Sequence, residues 1–414
     1  MVIGSSGKDK MAAANTATGP RSDFNLVDLK SDALKTSWRT TLPASRDKYN
    51  FSLFGFLRST IGKDLTRITM PVHFNEPLSF LQRLTEDLEY ADVLNKAAEC
   101  ETTIERLAYV AAFASSVYAN VPGRFWKPFN PLLGETFEFL NKEQGYAVVC
   151  EQVSHHPPVS ALHAESDKWV FWEEYQLDTR FRGLYVKIVP TGTVHVIFKK
   201  DNAHYSWKKP ETRIHNIVIG TLYVDHDGLS EIVSHNTGEK ATVKFTPYRK
   251  SHSYKKLTGE VKDKNGIAQL TLEGAWDEGL IARPTNGCQI SERKLWTAIP
   301  KPDDSHRVYG FTKFAFCLNE ADESINCPTD SRRRPDQRLL EFAKVEEAAS
   351  EKHRLEEKQR HARKAREHRK ETWKPRWFVS EVDADTGTVS HVYNGGYWTA
   401  KVNNGFDENA PDIF

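Results

Sequence analysis

Two adjacent histidines, His155 and His156, are followed by two prolines, and their types and spacing are well suited to a chemical role. They end a strand-like segment. Because proline cannot donate a hydrogen bond to a sheet ladder, both histidines are predicted to lie at a sheet rim. Two imidazoles that are partly protonated near neutral pH could bind an anion such as a phosphate there. Neighbouring strand residues point to opposite faces, so the pair is not expected to chelate one metal ion. Ordinary packing at a rim is the alternative interpretation.

A second group of polar side chains lies upstream, in a loop at residues 123–136. Pro128 and Pro131 restrict the backbone of this loop. The loop presents the cation of Lys127 and the side-chain amide of Asn130. These two groups are further candidates for contact with an anion.

A third group lies on a long helix that is predicted for residues 335–370 and is strongly charged in its second half. Phe342, Val345 and Ala349 mark an apolar stripe on this helix. The same helical steps continue the stripe into three charged residues, Lys352, Glu356 and Arg360. A stripe that changes from apolar to charged predicts a helix that leaves a packed surface and reaches a polar opening. A solvated helix with ion pairs four residues apart is the alternative.

Together these motifs resemble the lipid-binding domain of the oxysterol-binding protein family, and its oxysterol-binding protein branch in particular. The family signature, Glu-Gln-Val-Ser-His-His-Pro-Pro, is present at residues 151–158. Further matches to the family lie at residues 74–79, 127–135, 330–332, 334–338, 352–360 and 411–414. The resemblance therefore extends in family order over residues 37–414 and does not depend on one motif.

The resemblance implies a site for the phosphorylated headgroup of phosphatidylinositol 4-phosphate. In this site the cations converge on the phosphate and the amide of Asn130 donates a hydrogen bond. Glu356 orients the cations or accepts a headgroup hydroxyl. The implied headgroup-binding residues are Lys127, Asn130, His155, His156, Lys352, Glu356 and Arg360. Sterol-contacting residues are not assigned, because no short motif marks them.

Hydrophobic periodicity indicates the elements that must position these residues. Helices are predicted at residues 77–98 and 102–118. Alternating apolar and polar residues predict strands at residues 194–198, 241–246 and 268–273. Turn signals lie at residues 225–228, 236–239 and 264–266. This pattern predicts a long antiparallel meander, as a sandwich or a barrel. The resemblance implies an α+β fold that is dominated by a near-complete antiparallel β-barrel around a central lipid tunnel.

The chain is expected to form one lipid-binding domain, residues 37–414, after a disordered tail at residues 1–36. Its expected parts are a lid at about 47–68, helices at about 77–120, the barrel at about 125–300 and a C-terminal subdomain at about 305–414. Helical spacing of apolar residues at 50–62 predicts a short amphipathic helix. Packing in the core is one interpretation, and a lid over the tunnel is the one that the resemblance implies. The lid residues are Leu53, Phe54, Leu57 and Ile61.

Composition and missing motifs exclude several classes of function. The formal net charge is +1 with 27% charged residues, so nucleic acid is not an expected partner. The five cysteines are scattered and include no C-x-x-C pair, which argues against a zinc ribbon or a disulfide framework and favours the cytosol. The sequence contains no signal peptide and no apolar run long enough to span a membrane. Nucleophile-elbow, zincin and Walker motifs are also missing, so no enzymatic activity, catalytic residue, metal or cofactor is expected.

The resemblance implies a cytosolic lipid transfer protein that associates peripherally with organelle membranes, such as endoplasmic reticulum and Golgi membranes. One tunnel would hold either a sterol (cholesterol or an oxysterol) or phosphatidylinositol 4-phosphate, and the protein would exchange the two between membranes. A sensor or scaffold with little transport remains an alternative, as does a phosphatidylserine carrier.

Overall fold

The computed structural model describes residues 19–31, 38–45, 70–183, 185–217, 221–247, 255–285, 287–406 and 410–414. Within these residues, fourteen strands form one antiparallel sheet. Their bounds are β3 Thr136–Asn141, β4 Tyr146–His155, β5 Pro158–Ser166, β6 Trp169–Phe181, β7 Tyr185–Pro190, β8 Val194–Phe198, β9 Ala203–Trp207, β10 Glu211–His215, β11 Tyr223–Ser234, β12 Lys240–Phe245, β13 Lys256–Lys262, β14 Ala268–Ala275, β15 Gly279–Pro284 and β16 Arg293–Thr297. Two short strands outside this sheet, β1 (Asn75–Ser79) and β2 (Lys127–Phe129), pair in parallel.

The long strands β6 and β11 let the sheet curve, because each changes partner along its length. β6 pairs with β8 through its first residues and with β7 through its last. β11 pairs with β10 and then with β9 on one side and with β12 on the other. Two routes, β7–β10 and β8–β9, therefore join these strands. The strands form a nearly closed ring. It is not fully closed, because in the described residues no pairing joins the end strands β3 and β16. This is the near-complete antiparallel barrel that was expected.

The predicted turn at residues 225–228 is wrong, because these residues lie inside β11. Asp225 and His226 are buried, and pairing with β10 ends at Asp227. Pairing with β12 begins at Gly228, whose φ of +131° is in the region that favours glycine. The turn-like composition therefore marks a bend where the strand changes partner. The other two predicted turns and the three predicted strands are confirmed.

The helices before the sheet differ from the prediction at their start. Pro77 belongs to β1, and the helical region is divided into α1 (Phe80–Thr85), a 3₁₀ turn and α2 (Ala91–Glu99). Ser79 caps α1 in a capping box with Gln82, which explains why the helix begins there. Helix α3 (Thr103–Ser116) contacts strands β11, β12, β13, β15 and β16. The predicted apolar stripe of this helix is buried against the sheet: Leu107, Val110, Ala111, Ala114, Val117 and Tyr118.

The long C-terminal helix is interrupted. After α4 (Lys313–Cys317), α5 (Pro335–Glu341) ends before Phe342, and α6 runs over Val345–Arg369. Ala343 has a positive φ of 59°, so the chain leaves the helical conformation between α5 and α6. The side chain of Phe342 therefore does not continue the face of α6. Phe342 and Ala349 are exposed, so the predicted apolar stripe is wrong. The buried apolar residues of α6 are Val345, Ala348 and Leu355.

The last part of the chain forms the hairpin β17 (Phe378–Val382) and β18 (Val389–Tyr393), followed by α7 (Tyr397–Val402). Residues 19–31, which were expected to belong to a disordered tail, pack on this region through buried Phe24. Asp23 accepts hydrogen bonds from the Tyr393 hydroxyl and from the backbone N–H groups of Gly396 and Thr399. One capping carboxylate and one aromatic side chain anchor this segment. Its overall composition therefore did not predict that it packs on the rest of the chain. None of the described helices combines the length and apolar character needed to cross a bilayer.

Candidate functional site

The histidine pair lies at the turn between β4 and β5. His155 is the last residue of β4 and pairs with Pro158, the first residue of β5. His156 and Pro157 therefore form a two-residue connection at the rim, as predicted. The rings of His155 and His156 are 4.9 Å apart between centroids, so they do not point to opposite faces. The strand rule does not apply to this pair, because the strand ends between the two residues.

Gln359 on α6 holds His155 in place. Its amide Nε2 lies 2.7 Å from His155 Nε2, and its Oε1 accepts a hydrogen bond from the Leu133 backbone N–H at 2.8 Å. An amide nitrogen can only donate, so His155 Nε2 accepts and the ring proton is placed on Nδ1. Burial lowers the pKa of His155 to about 4, and the positive charges of His156, Arg334 and Arg363 add to the shift. His155 is thus neutral at pH 7 without a ligand, and a bound anion would favour its protonation.

Lys127 begins β2 and faces α6. Its side chain is accessible to solvent, yet the surrounding protein displaces enough water to lower the pKa of its ammonium to about 8. The nearby charge of Lys352 lowers this pKa further, and that of Glu356 opposes the shift. We refer to the surface formed by Lys127, the β4–β5 turn and the charged residues of α6 as the opening. Among the described residues, no carboxylate forms an ion pair with Lys127, so a cation is available for a ligand.

Lys352, Glu356 and Arg360 form a chain of ion pairs along α6, close enough to Lys127 for Lys352 and Glu356 to affect its charge. Lys352 Nζ donates to the Met70 carbonyl at 3.1 Å and to Glu356 Oε1 at 2.6 Å. The other oxygen of Glu356 lies 3.7 Å from the Arg360 guanidinium, and Arg360 also bonds to Glu357. Glu356 therefore lies between the two cations and can orient both. Lys352 is only 12% exposed, whereas Arg360 is 45% exposed and can reach into solvent.

The loop that carries Asn130 is supported by a buried network around Arg334. The guanidinium donates to the Asn130 carbonyl at 2.8 Å, to Glu135 at 3.0 Å and to Asp336 at 2.7 Å. Glu135 also accepts from the Leu132 N–H at 2.9 Å, which closes the loop on itself. The Asn130 side chain is exposed, so its amide can donate to a ligand. The backbone of the loop is thus fixed although Asn130 itself lies at the surface.

Other motif residues extend this support. Asn75 donates from its amide to the carbonyls of Lys127 and Pro128, at 3.1 and 3.2 Å, which fixes β2 beside β1. Ser331 Oγ donates to Glu135 at 2.7 Å. Glu151, the first signature residue, accepts from the backbone N–H groups of residues 376 and 377 at 2.8 Å each. These motif residues therefore hold β2, the loop with Asn130 and the end of the chain in place around the opening.

The structure thus brings most of the expected site residues together from β2, the β4–β5 turn and α6. The expected lid residues lie outside the described residues: Leu53, Phe54, Leu57 and Ile61. Gln359, which contacts His155, was not predicted from the sequence. Gln359 lies seven residues after Lys352 and so shares its helix face, which is the signal that could have identified it.

Comparisons with known proteins agree with this architecture. A family model described as "Oxysterol-binding protein" matches residues 52–402. The chain is 40% identical over 427 residues to "Oxysterol-binding protein 2" of Mus musculus, which covers 95% of this chain and 47% of that protein. It is 38% identical over 436 residues to "Oxysterol-binding protein-related protein 1" of Homo sapiens, with 94% and 45% covered. The chain spans about half the length of the curated relatives it matches.

Two solved structures are also similar to this chain. The Osh1 ORD domain in complex with cholesterol has a TM-score of 0.86 and 38% identity, covering 92% of this chain and 95% of that one. The Osh3 ORD in complex with PI(4)P from Saccharomyces cerevisiae has a TM-score of 0.79 and 30% identity, covering 90% and 98%. The similarity thus extends over nearly the whole described fold.

Proposed function

The chain belongs to the oxysterol-binding protein family, and on that premise we propose that it is a lipid transfer protein. In this proposal one internal cavity holds either a sterol or the acyl chains of phosphatidylinositol 4-phosphate. The protein exchanges the two lipids between membranes, with which it associates peripherally, at the endoplasmic reticulum and Golgi. It acts without covalent chemistry on either lipid. Related ORD structures that hold cholesterol, ergosterol or PI(4)P support both ligand classes.

The observation that carries the proposal is the position of Lys127. A desolvated lysine beside a second lysine, without a carboxylate partner among the described residues, is costly unless a ligand supplies negative charge. A phosphomonoester carries about −1.5 to −2 charges at pH 7 and accepts several hydrogen bonds. Lys127, Lys352 and Arg360 match that charge, and each charged hydrogen bond contributes about 1.5–3 kcal/mol. The site residues proposed for the headgroup are Lys127, Asn130, His155, His156, Lys352, Glu356 and Arg360.

The acyl chains need a separate source of binding energy. Two tails with roughly 30 methylenes lose about 24 kcal/mol on transfer from a bilayer to water, at about 0.8 kcal/mol per methylene. Polar contacts at the opening cannot supply this free energy, so a carrier must enclose the tails in an apolar cavity. The nearly closed fourteen-stranded sheet supports such an enclosure. The proposed lid, residues 47–68, would cover it.

A two-liposome assay tests the proposal. Donor liposomes contain a fluorescent sterol, and acceptor liposomes contain either phosphatidylinositol 4-phosphate or no phosphoinositide. The protein is expected to accelerate sterol transfer, and the phosphoinositide in the acceptor is expected to change the rate. If sterol transfer is not accelerated, the chain is a sensor or scaffold. If phosphatidylserine in the same assay moves in place of the sterol, the sterol assignment is wrong.

Variants at the opening distinguish headgroup binding from lipid uptake in general. Lys127→Ala and the double variant His155→Ala/His156→Ala are expected to lose at least tenfold in phosphoinositide extraction, because about 1.4 kcal/mol corresponds to tenfold. Sterol extraction should be retained, since the sterol has no phosphate. Lys244→Ala removes an exposed lysine from β12 and is the matched control. Equal loss of both lipids would mean that the cluster has only a structural role.

A further inference from the structure

A group of metal-ligating side chains lies outside the proposed headgroup site, where the sheet meets the C-terminal hairpin. His195, His204 and Asp383 each place one ligand atom within 4.8 Å of the others. His195 belongs to β8 and His204 to β9, whereas Asp383 lies in the turn between β17 and β18. The sequence does not reveal this group, because its members come from parts of the chain almost 190 residues apart.

The two imidazoles are held rigidly with their nitrogens facing each other. His195 Nδ1 lies 3.0 Å from His204 Nε2. His195 has no exposed surface, and its ring stacks on Trp172 at 4.7 Å with an interplanar angle of 5°. His204 is 4% exposed and lies over the same indole at 5.6 Å. Neither ring can turn without breaking this stack, so both nitrogens are preorganised.

Asp385 sets the tautomer of His204. His204 Nδ1 donates a hydrogen bond to Asp385 Oδ2, which leaves the lone pair of Nε2 directed toward His195. A histidine that binds a metal usually donates its other ring N–H to a carboxylate, which fixes the ring and strengthens it as a ligand. His204 and Asp385 already have this arrangement.

Asp383 supplies an anchored carboxylate. One oxygen, Oδ1, accepts hydrogen bonds from the Thr386 N–H at 2.7 Å and from the Thr386 hydroxyl at 2.8 Å. The other oxygen, Oδ2, lies 3.9 Å from His195 Nδ1. The turn therefore fixes the carboxylate by one oxygen and directs the second toward the imidazoles.

We propose that His195, His204 and Asp383 bind a zinc ion. The ligand atoms are His195 Nδ1, His204 Nε2 and Asp383 Oδ2, with water in the fourth position. Ligand atoms of a tetrahedral zinc ion lie about 3.3 Å apart, given bonds of about 2.0–2.1 Å. Two of the three separations, 3.0 and 3.9 Å, lie on either side of this value, and the third is within 4.8 Å. On binding, the proton of His195 moves from Nδ1 to Nε2 of the same ring, so that both imidazoles bind as neutral ligands. The ion then joins β8 and β9 to the β17–β18 hairpin.

Zinc and cobalt binding to the full chain test this proposal. The protein is treated with a chelator, kept reduced and titrated with Zn²⁺ by calorimetry. One equivalent is expected to bind and to raise Tm. Co²⁺ serves as a spectroscopic probe, because nitrogen and oxygen ligands give visible d–d bands without thiolate charge transfer. A thiolate band would assign the metal to the free cysteines and would overturn the proposal.

Two substitutions separate metal binding from anchoring of the hairpin. Asp383→Asn and His204→Gln remove a ligand and are expected to weaken Zn²⁺ binding at least tenfold. His391→Gln is the control, because His391 anchors the same hairpin to Glu174 Oε2 at 2.7 Å without belonging to the cluster. This variant should bind Zn²⁺ as the wild type does. Binding that is absent from the wild type, or unchanged in both ligand variants, would refute the assignment.

Discussion

At the residue scale, the desolvation of Lys127 and His155 fits the proposed site for an anion. Burial lowers the pKa of both groups, to about 8 and about 4, because each cationic form loses hydration that the protein does not replace. A phosphate would supply the missing negative charge. It would raise both pKa values, so headgroup binding is expected to be coupled to proton uptake at His155.

The pKa of Lys127 predicts a pH dependence. Phosphoinositide affinity is expected to fall between about pH 7 and pH 9, because the ammonium loses its proton around pH 8 and only the charged form attracts the phosphate. The phosphate is fully ionised throughout this range, since its second pKa is about 6. Lys127→Arg keeps its charge and should flatten the decline. Affinity for liposomes measured across this range checks the slope, with sterol binding as the control. An equal slope in both proteins would contradict the role of Lys127.

Gln359 is predicted to act by positioning His155. Gln359→Leu removes the donor to His155 Nε2 and the acceptor for the Leu133 N–H. Phosphoinositide affinity is expected to fall roughly tenfold, in line with about 1–1.5 kcal/mol for a lost hydrogen bond. Sterol affinity should be unchanged. His361→Ala, at an exposed residue of the same helix, is the control. If both variants lose affinity equally, the effect comes from the helix and not from His155.

At the element scale, the opening depends on loops and strand ends that buried charges hold in place. Arg334 links the loop with Asn130 to the start of α5, and Glu151 links β4 to the segment before β17. Burial raises the pKa of Glu151 to about 7, although two backbone N–H groups oppose the shift. These contacts give Arg334 and Glu151, both charged motif residues, a structural role.

Arg334 provides a stability prediction at this scale. Arg334→Met leaves Glu135 and Asp336 buried without their cation, and the free energy of unfolding is expected to fall by about 3–5 kcal/mol. Urea unfolding measures the change. Arg333→Met is the matched control, because Arg333 is exposed on the preceding turn and should cost less than about 0.5 kcal/mol. Similar losses in the two variants would mean that the buried network is not stabilising.

At the scale of the whole molecule, the segment at residues 19–31 packs against the β17–β18 hairpin and α7. Asp23 satisfies backbone donors at the start of α7, which have no partner within that helix. Phe24 fills the apolar cluster behind β17 and β18. The proposed zinc site joins the same hairpin to the sheet, so both features stabilise the position of this hairpin.

Asp23 tests how much this segment contributes. Asp23→Ala removes the charged acceptor of four hydrogen bonds, and the free energy of unfolding is expected to fall by about 2–3 kcal/mol. Thermal unfolding followed by circular dichroism should show a lower Tm. Asp28→Ala changes an exposed carboxylate in the same segment and is expected to leave Tm unchanged. An unchanged Tm in Asp23→Ala would show that the segment is dispensable.

The sequence by itself determined the family, through its short motifs, and the long antiparallel meander, through the alternation of apolar and polar residues in its strands. Local signals suffice for these, because strand alternation, helical stripes and short motifs are properties of neighbouring residues. The same signals failed at Phe342 and at residues 225–228. There a left-handed residue and a change of strand partner overrode the local pattern.

Only the tertiary structure decided which distant groups meet. The contact of Gln359 with His155, the network around Arg334 and the cluster of His195, His204 and Asp383 each join residues from separate elements. The pKa values of Lys127 and His155 were likewise decided there, because they depend on how much water the folded chain displaces around each group. Spacing along a chain carries no information on such desolvation or on the distance between remote side chains.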